Sequence, residues 1–261
     1  MNKVITQINS RGVAQVTLNN PDKHNAFDDQ MIIELTNAFN ALAVNANVRI
    51  MLLKSEGKSF SAGADLNWMK RMASYSYQQN LNDAYALAAM LKALHQMPMP
   101  TIAKVQGAAF GGAVGLISCC DIAVSSFNAS FALSEVKIGL VPSTISPYVI
   151  AAIGERHAKR YFMTAERFDA NTAVQIDLVH EAVDEQLLDE KVEQLITAIL
   201  CNGPEAVASA KQLVFAVRGK SIDSTLIEHT CKAIADIRVS AQGQEGLSAF
   251  LDKRKPNWLK D

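Results

Sequence analysis

Apolar positions along the chain change their period several times, and each change marks an element. Val4–Ile8 and Val13–Leu18 are short β-prone runs on either side of Asn9-Ser10-Arg11-Gly12, which predicts a hairpin. Asp28 stands as an N-cap ahead of Met31, Ile32, Leu35, Phe39 and Leu42, whose spacing is helical. Val48–Lys54 is mostly apolar, too short for a helix and bounded by Ser55-Glu56-Gly57, so it predicts a buried strand. A loop through Gly63 leads into one helical region from Asn67 to about Gln96, closed by Pro98 and Pro100. Thr101–Val105 reads as a strand, Gly112–Cys120 as a helix, and Asp121–Val124 resumes a strand pattern. Pro142 predicts the first turn of a short helix reaching Ile153. Beyond Gly154 the pattern is helical, over 155–164, 170–177, 187–201, 205–217, 222–240 and 244–251. The whole predicts an α/β core followed by a helical C-terminal region. Strand–strand–helix recurs loosely, without an exact repeat.

Composition narrows the function. At 261 residues, 49% hydrophobic and 20% charged, the chain is globular and large enough to complete a core without disulfides or metals. Net charge is 25 − 26 = −1, which supplies no field for a nucleic acid backbone, so any bound anion must be met by local donors. The four cysteines, at 119, 120, 201 and 231, show neither zinc-knuckle nor redox spacing. The five histidines show no metal pair on a helix. The start lacks the apolar core of a signal peptide, and the charge-free stretches Val105–Cys120 and Ile138–Gly154 fall short of the ~20 apolar residues that span a bilayer. These features predict a soluble protein of the reducing cytoplasm, bound neither to membrane nor to nucleic acid.

Four places could carry chemistry. Gly107-Ala108-Ala109-Phe110-Gly111-Gly112 lies between a strand and a helix, where it serves either tight packing or, through free helix N–H groups, a phosphate or developing oxyanion. It lacks the dinucleotide and P-loop patterns. Ser61-Ala62-Gly63-Ala64-Asp65 is a second short-residue loop, offering either another backbone donor or a plain turn capped by Asp65. Glu135 ends an apolar stretch just upstream of Gly139 and Pro142, and is either a solvated strand end or a catalytic carboxylate. Lys23 and His24 form a turn with two possible cations.

Taken together these segments resemble the crotonase (enoyl-CoA hydratase/isomerase) superfamily over essentially the whole chain. Leu18 to Phe27 resembles its N-terminal loop, Phe60 to Leu66 its first oxyanion segment, Gly107 to Asp121 its second and Gly246 to Pro256 its tail. The resemblance implies a crotonase-like spiral of ββα turns over residues 1–195 and a helical trimerisation region over 196–261. It also implies an acyl-CoA thioester substrate and a homotrimer or hexamer. By that likeness the N–H groups of Ala64 and Gly112 form an oxyanion hole and Glu135 is the catalytic carboxylate. Lys23, Ala26, Ala62, Gly63, Asp65 and Leu66 then hold the CoA, aided by Lys253, Arg254 and Lys255. Phe110, Gly111, Gly115 and Pro142 line the substrate.

The family's hydratases carry two glutamates, and Gly115 stands where the first would be. Its absence implies open space beside the glycine-run helix. Leu133 to Pro142, Ile145 to Val149, Gly154-Glu155-Arg156 and Thr164 to Phe168 resemble the bacterial branch acting on methylglutaconyl-CoA and related carboxylated enoyl-CoAs. The reaction implied is addition of water to an α,β-unsaturated acyl-CoA. The rival is a Δ3–Δ2 isomerase using Glu135 alone. Neither needs a metal or redox cofactor, because CoA belongs to the substrate.

Overall fold

The computed structural model describes residues 2–259. Its main sheet comprises β1 (Val4–Ile8), β2 (Val13–Leu18), β3 (Ile50–Ser55), β4 (Thr101–Val105), β6 (Ile122–Ser126) and β9 (Glu181–Val183), in the order β1-β2-β3-β4-β6-β9. Only the hairpin β1–β2 is antiparallel, with Val4 opposite Leu18; the other neighbours run parallel. Strands buried on both faces suit that arrangement. Met51 and Leu53 of β3 face one core with Met31, Leu35 and Phe39 of α1 (Asp29–Ala43). Ile50 and Leu52 face another with Leu188, Val192, Ile196 and Leu200 of α7 (Leu188–Leu200). That helix runs through residues 195 and 196, where the sequence suggested a division.

Asp28 caps α1 as expected, accepting from the Met31 N–H at 2.9 Å. The helical region expected from 67 to 96 is two helices, α2 (Leu66–Met72) and α3 (Tyr77–His95). They part because Ser76 and Gln79 form a reciprocal capping box that starts α3 afresh.

A small second sheet, of β5 (Ala109–Phe110), β7 (Ser130–Ala132) and β8 (Phe168–Asp169), was not foreseen, because two- and three-residue strands leave no period to read. Helix α4 (Gly112–Cys119) leaves β5 directly. Pro142 lies in a loop rather than a helical first turn; Pro147 takes that position in α5 (Ser146–Thr164), which breaks at Gly154, where φ is 74°. Short α6 (Ala170–Gln175) precedes β9.

Helices α8 (Pro204–Val217), α9 (Ser224–Val239) and α10 (Ala241–Leu251) close the chain. One polar knot ties them to the sheet: Lys211 of α8 donates to Asp121 Oδ2 at 2.6 Å and to the Met99 carbonyl at 3.0 Å. The same Asp121 oxygen accepts from the Thr101 N–H and hydroxyl. Among the described residues no helix is long and apolar enough to cross a membrane.

The Lys211 side chain is only 8% exposed, so removing its ammonium leaves a partly buried carboxylate short of its cation. Lys211→Ala should lower unfolding stability by about 2–4 kcal/mol in urea denaturation. A loss below about 0.5 kcal/mol would show the knot to be a surface pair.

Candidate functional site

The loops that follow β2, β3 and β4 meet at the C-terminal edge of three neighbouring parallel strands, the usual place for a site in such a sheet. Asn25 organises the first. It is fully buried in the left-handed conformation, φ 53°, accepts from the Asn20 N–H and donates to the carbonyls of Glu56 and Ser59 at 2.8 and 2.9 Å. Sequence reading did not single it out, although an asparagine inside a polar turn is the residue type suited to that conformation.

Three segments are then laced together. Phe27 bridges Ala64: its N–H donates to the Gly63 carbonyl at 2.8 Å, and its carbonyl accepts from the Asp65 N–H at 2.7 Å. These bonds flank Ala64, so its own N–H points to the opposite edge, where no acceptor among the described residues meets it. Ser61 bridges Ala109 in parallel, through Ser61 N–H to Ala108 and Phe110 N–H to Ser61. Ala64 and Gly112 each lie three residues beyond that bridge. Gly112 is the first residue of α4, so its N–H has no acceptor within the helix and lies at the positive dipole end. The Phe27 ring packs 3.6 Å from where a Gly112 Cβ would stand.

Glu135 arrives from the small sheet. β7 pairs with β5, the Gly111 N–H donates to the Ala132 carbonyl, and the chain turns into a 3-10 helix at Glu135–Ile138. Glu135 therefore sits on a 3-10 turn, not at a strand end. Gly111 has φ 57° and ψ −119°, a conformation natural only to glycine, and its absent Cβ would lie 3.0 Å from Glu135 Oε1. Glu135 Oε2 is buried and has no hydrogen-bond partner among the described residues. Burial raises this carboxyl above the ordinary glutamate value, against a smaller opposing effect of its own backbone N–H.

The other expected residues lie on these loops, beyond Glu135 and in the C-terminal tail. Lys23 bonds Asp65 Oδ2 at 2.8 Å; this hydrogen bond is the main cause that raises the lysine and lowers the aspartate pKa. Asp65 also caps α2 through the Asn67 and Trp68 N–H groups, so the cap and the ion pair coexist. Ala26 is buried, Ala62 donates to the His24 carbonyl, and Leu66 faces solvent. Phe110 carries the Arg167 guanidinium over its ring at 4.8 Å, and Pro142 is buried in the loop beyond Glu135. Arg254 forms a two-pronged bond to Glu245, at 2.7 and 2.8 Å, which draws that carboxyl down to about 2. Its charge is committed within the tail.

Gly115 corrects the sequence reading. The space expected beside it is filled, since an added Cβ would come 2.3 Å from Ile145 Cγ2 and 3.5 Å from Leu91 of α3. Both neighbours are buried. Glycine here permits close packing of α4 against Ile145. Cys119 and Cys120 sit in this core with both thiols pushed up by burial, and all four cysteines are free. No group of three metal-ligating side chains occurs among the described residues.

Two free N–H groups, each three residues beyond one bridge, and a desolvated carboxyl at the glycine turn define a class of site. It can hold a carbonyl oxygen as it gains negative charge while the carboxylate handles a proton at the adjoining carbon. The profile of the family described as Enoyl-CoA hydratase/isomerase matches residues 8–261, and the chain belongs to that family of enzymes. Its fold is the crotonase α/β fold. An enoyl-CoA hydratase from Shewanella pealeana ATCC 700345 is 49% identical, with a TM-score of 0.94 over 98% of this chain and 96% of that one. Pseudomonas aeruginosa AtuE is 30% identical, with a TM-score of 0.94 over 99% and 100%. The 2,3-dehydroadipyl-CoA hydratase of Escherichia coli K12 is 29% identical over 248 residues, 94% of each chain.

Gly115→Ala should cost about 1–3 kcal/mol of stability, because Ile145 is held by its own packing and cannot withdraw freely. Combining it with Ile145→Ala should cost less than the sum of the two single changes. Strict additivity would show that the two residues do not compete for one space.

Proposed function

We propose that the protein hydrates an α,β-unsaturated acyl-CoA thioester, with a branched carboxylated acyl group as its preferred substrate. The observation that carries the reaction is the buried, unpartnered Glu135 Oε2 beside the glycine turn that opens α4. The Ala64 and Gly112 N–H groups hold the thioester oxygen, and Glu135 takes a proton from water as the hydroxyl bonds to Cβ. Charge moves through Cα onto the oxygen, where the two donors and the α4 dipole meet it; a proton then returns to Cα. Water supplies every atom added, and the step calls for no metal or redox group. Lys23, Asp65 and the loop around Ala26 hold the CoA moiety.

The acyl preference rests on the likeness of residues 133–168 to the methylglutaconyl-CoA branch. The E. coli relative, whose name specifies a carboxylated enoyl-CoA, supports the same reading. The Δ3–Δ2 isomerase remains the second reading because one carboxylate, with Gly115 packed shut, can shuttle a proton between carbons without water. Turnover in heavy-oxygen water decides, since only hydration incorporates the label. A higher kcat/KM for crotonyl-CoA than for a branched carboxylated enoyl-CoA would overturn the substrate assignment.

The proposal includes self-assembly. Among the described residues α8 and α9 bury no side chain fully, while Ile222 is 86% exposed, Phe250 81% and Leu251 75%. These faces call for a second and third copy of the chain, as a homotrimer or hexamer. A monomer by light scattering at micromolar concentration would refute this.

Glu135→Gln should lower kcat about a hundredfold or more while leaving saturated acyl-CoA binding nearly intact. It should also stabilise the fold at neutral pH. A carboxyl whose folded value is raised contributes stability that is present below its unfolded value and is lost as pH rises through the folded one. The gain in Tm over wild type should therefore vanish in acid, where both side chains are neutral. Near-wild-type kcat would remove Glu135 from the mechanism.

A further inference from the structure

Helix α2 carries the chain away from the Ala64 donor, yet among its seven residues only Trp68 is buried. Its outer contacts are the exposed Arg71–Asp29 pair and the half-exposed Lys23–Asp65 pair. Inside, the Trp68 indole N–H donates to Asp83 Oδ1 of α3 at 3.3 Å. Asp83 is half-buried, and burial raises its carboxyl above the ordinary aspartate value; Asp29 adds to the rise, while the Trp68 bond and Arg71 oppose it.

The same helix α3 also braces the second donor. Leu91 packs against the Gly115 position of α4, 3.5 Å from where its Cβ would stand. One helix thus touches α4 at Gly115 and α2 at Trp68.

Resting on the enoyl-thioester reading above, we propose that Asp83 is a positioning residue: by holding Trp68 it fixes α2, and through α2 the Ala64 N–H, at the spacing from the Gly112 N–H that a developing thioester oxyanion requires. The Phe27 bridge anchors Gly63 and Asp65. Asp83 adds control of how α2 is tilted beyond them. A donor displaced by a fraction of an ångström loses part of its transition-state contribution while ground-state binding persists.

The test uses the full-length protein. Asp83→Leu, which removes the acceptor and a half-buried charge together, should lower kcat on an enoyl-CoA about tenfold and leave Tm unchanged or higher. Affinity for a saturated acyl-CoA should stay within about twofold, since that ligand develops no oxyanion. The near-ultraviolet enolate band of a bound 3-ketoacyl-CoA should weaken in parallel with kcat. Asp83→Asn keeps an acceptor for the indole and should restore both signals. Trp68→Phe, which loses the indole N–H along with part of the buried ring, should show at least the Asp83→Leu defect, and adding Asp83→Leu to it should lower kcat no further. If the wild type turns over while Asp83→Leu matches it, or if Asp83→Asn is as impaired as Asp83→Leu, the positioning role is wrong. If the wild type turns over no enoyl-CoA, the activity reading fails and takes this proposal with it.

Discussion

One close approach organises the functional edge of this molecule: the Glu135 carboxylate comes within 3.0 Å of where a side chain of residue 111 would begin. The backbone angles at 111 are natural only to glycine, and a side chain there would crowd that carboxylate. The same residue joins β5 to α4 and bonds β7 through its N–H. Strand pairing, helix start and carboxylate position are therefore a single geometric solution. Shifting any of them moves the other two.

The scaffold behind this edge is built from strands buried on both faces. Alternate residues of β3 feed different cores, one with α1 and one with α7. That two-sided burial makes the sheet rigid and places the loops after β2, β3 and β4 side by side. The loops are then locked by short polar links, chiefly those of Asn25 and the Phe27–Ala64 and Ser61–Ala109 bridges. Rigid backbone donors suit oxyanion stabilisation because they need little reorganisation as charge develops.

Local electrostatics suit a chain with almost no net charge. Desolvation works against ionised Glu135, while the neighbouring start of α4 favours negative charge; burial is the dominant influence. Elsewhere charges pair off: Lys23 with Asp65, Arg71 with Asp29, and, in the tail, Arg254 with Glu245. Such pairs shape loops and helix ends more than they stabilise the whole fold.

The sequence alone determined the α/β class, the hairpin, α1 with its Asp28 cap, and the glycine-run helix, because each depends on residues close together in the chain. Its motifs offered the two glycine-bearing loops and Glu135 only as open alternatives, and it was the likeness to the crotonase superfamily that singled out Ala64, Gly112 and Glu135. Tertiary structure decided the rest. The two- and three-residue strands of the small sheet exist only through their partners. Pro142 gave way to Pro147 as the helix-opening proline, and the long helical region split where Ser76 capped a new helix. Gly115 was legible as a departure from the two-glutamate pattern, but its surroundings were not. Ile145 and Leu91 fill that space from thirty residues later and twenty-four earlier, and the packing of side chains so far apart cannot be read from local periodicity.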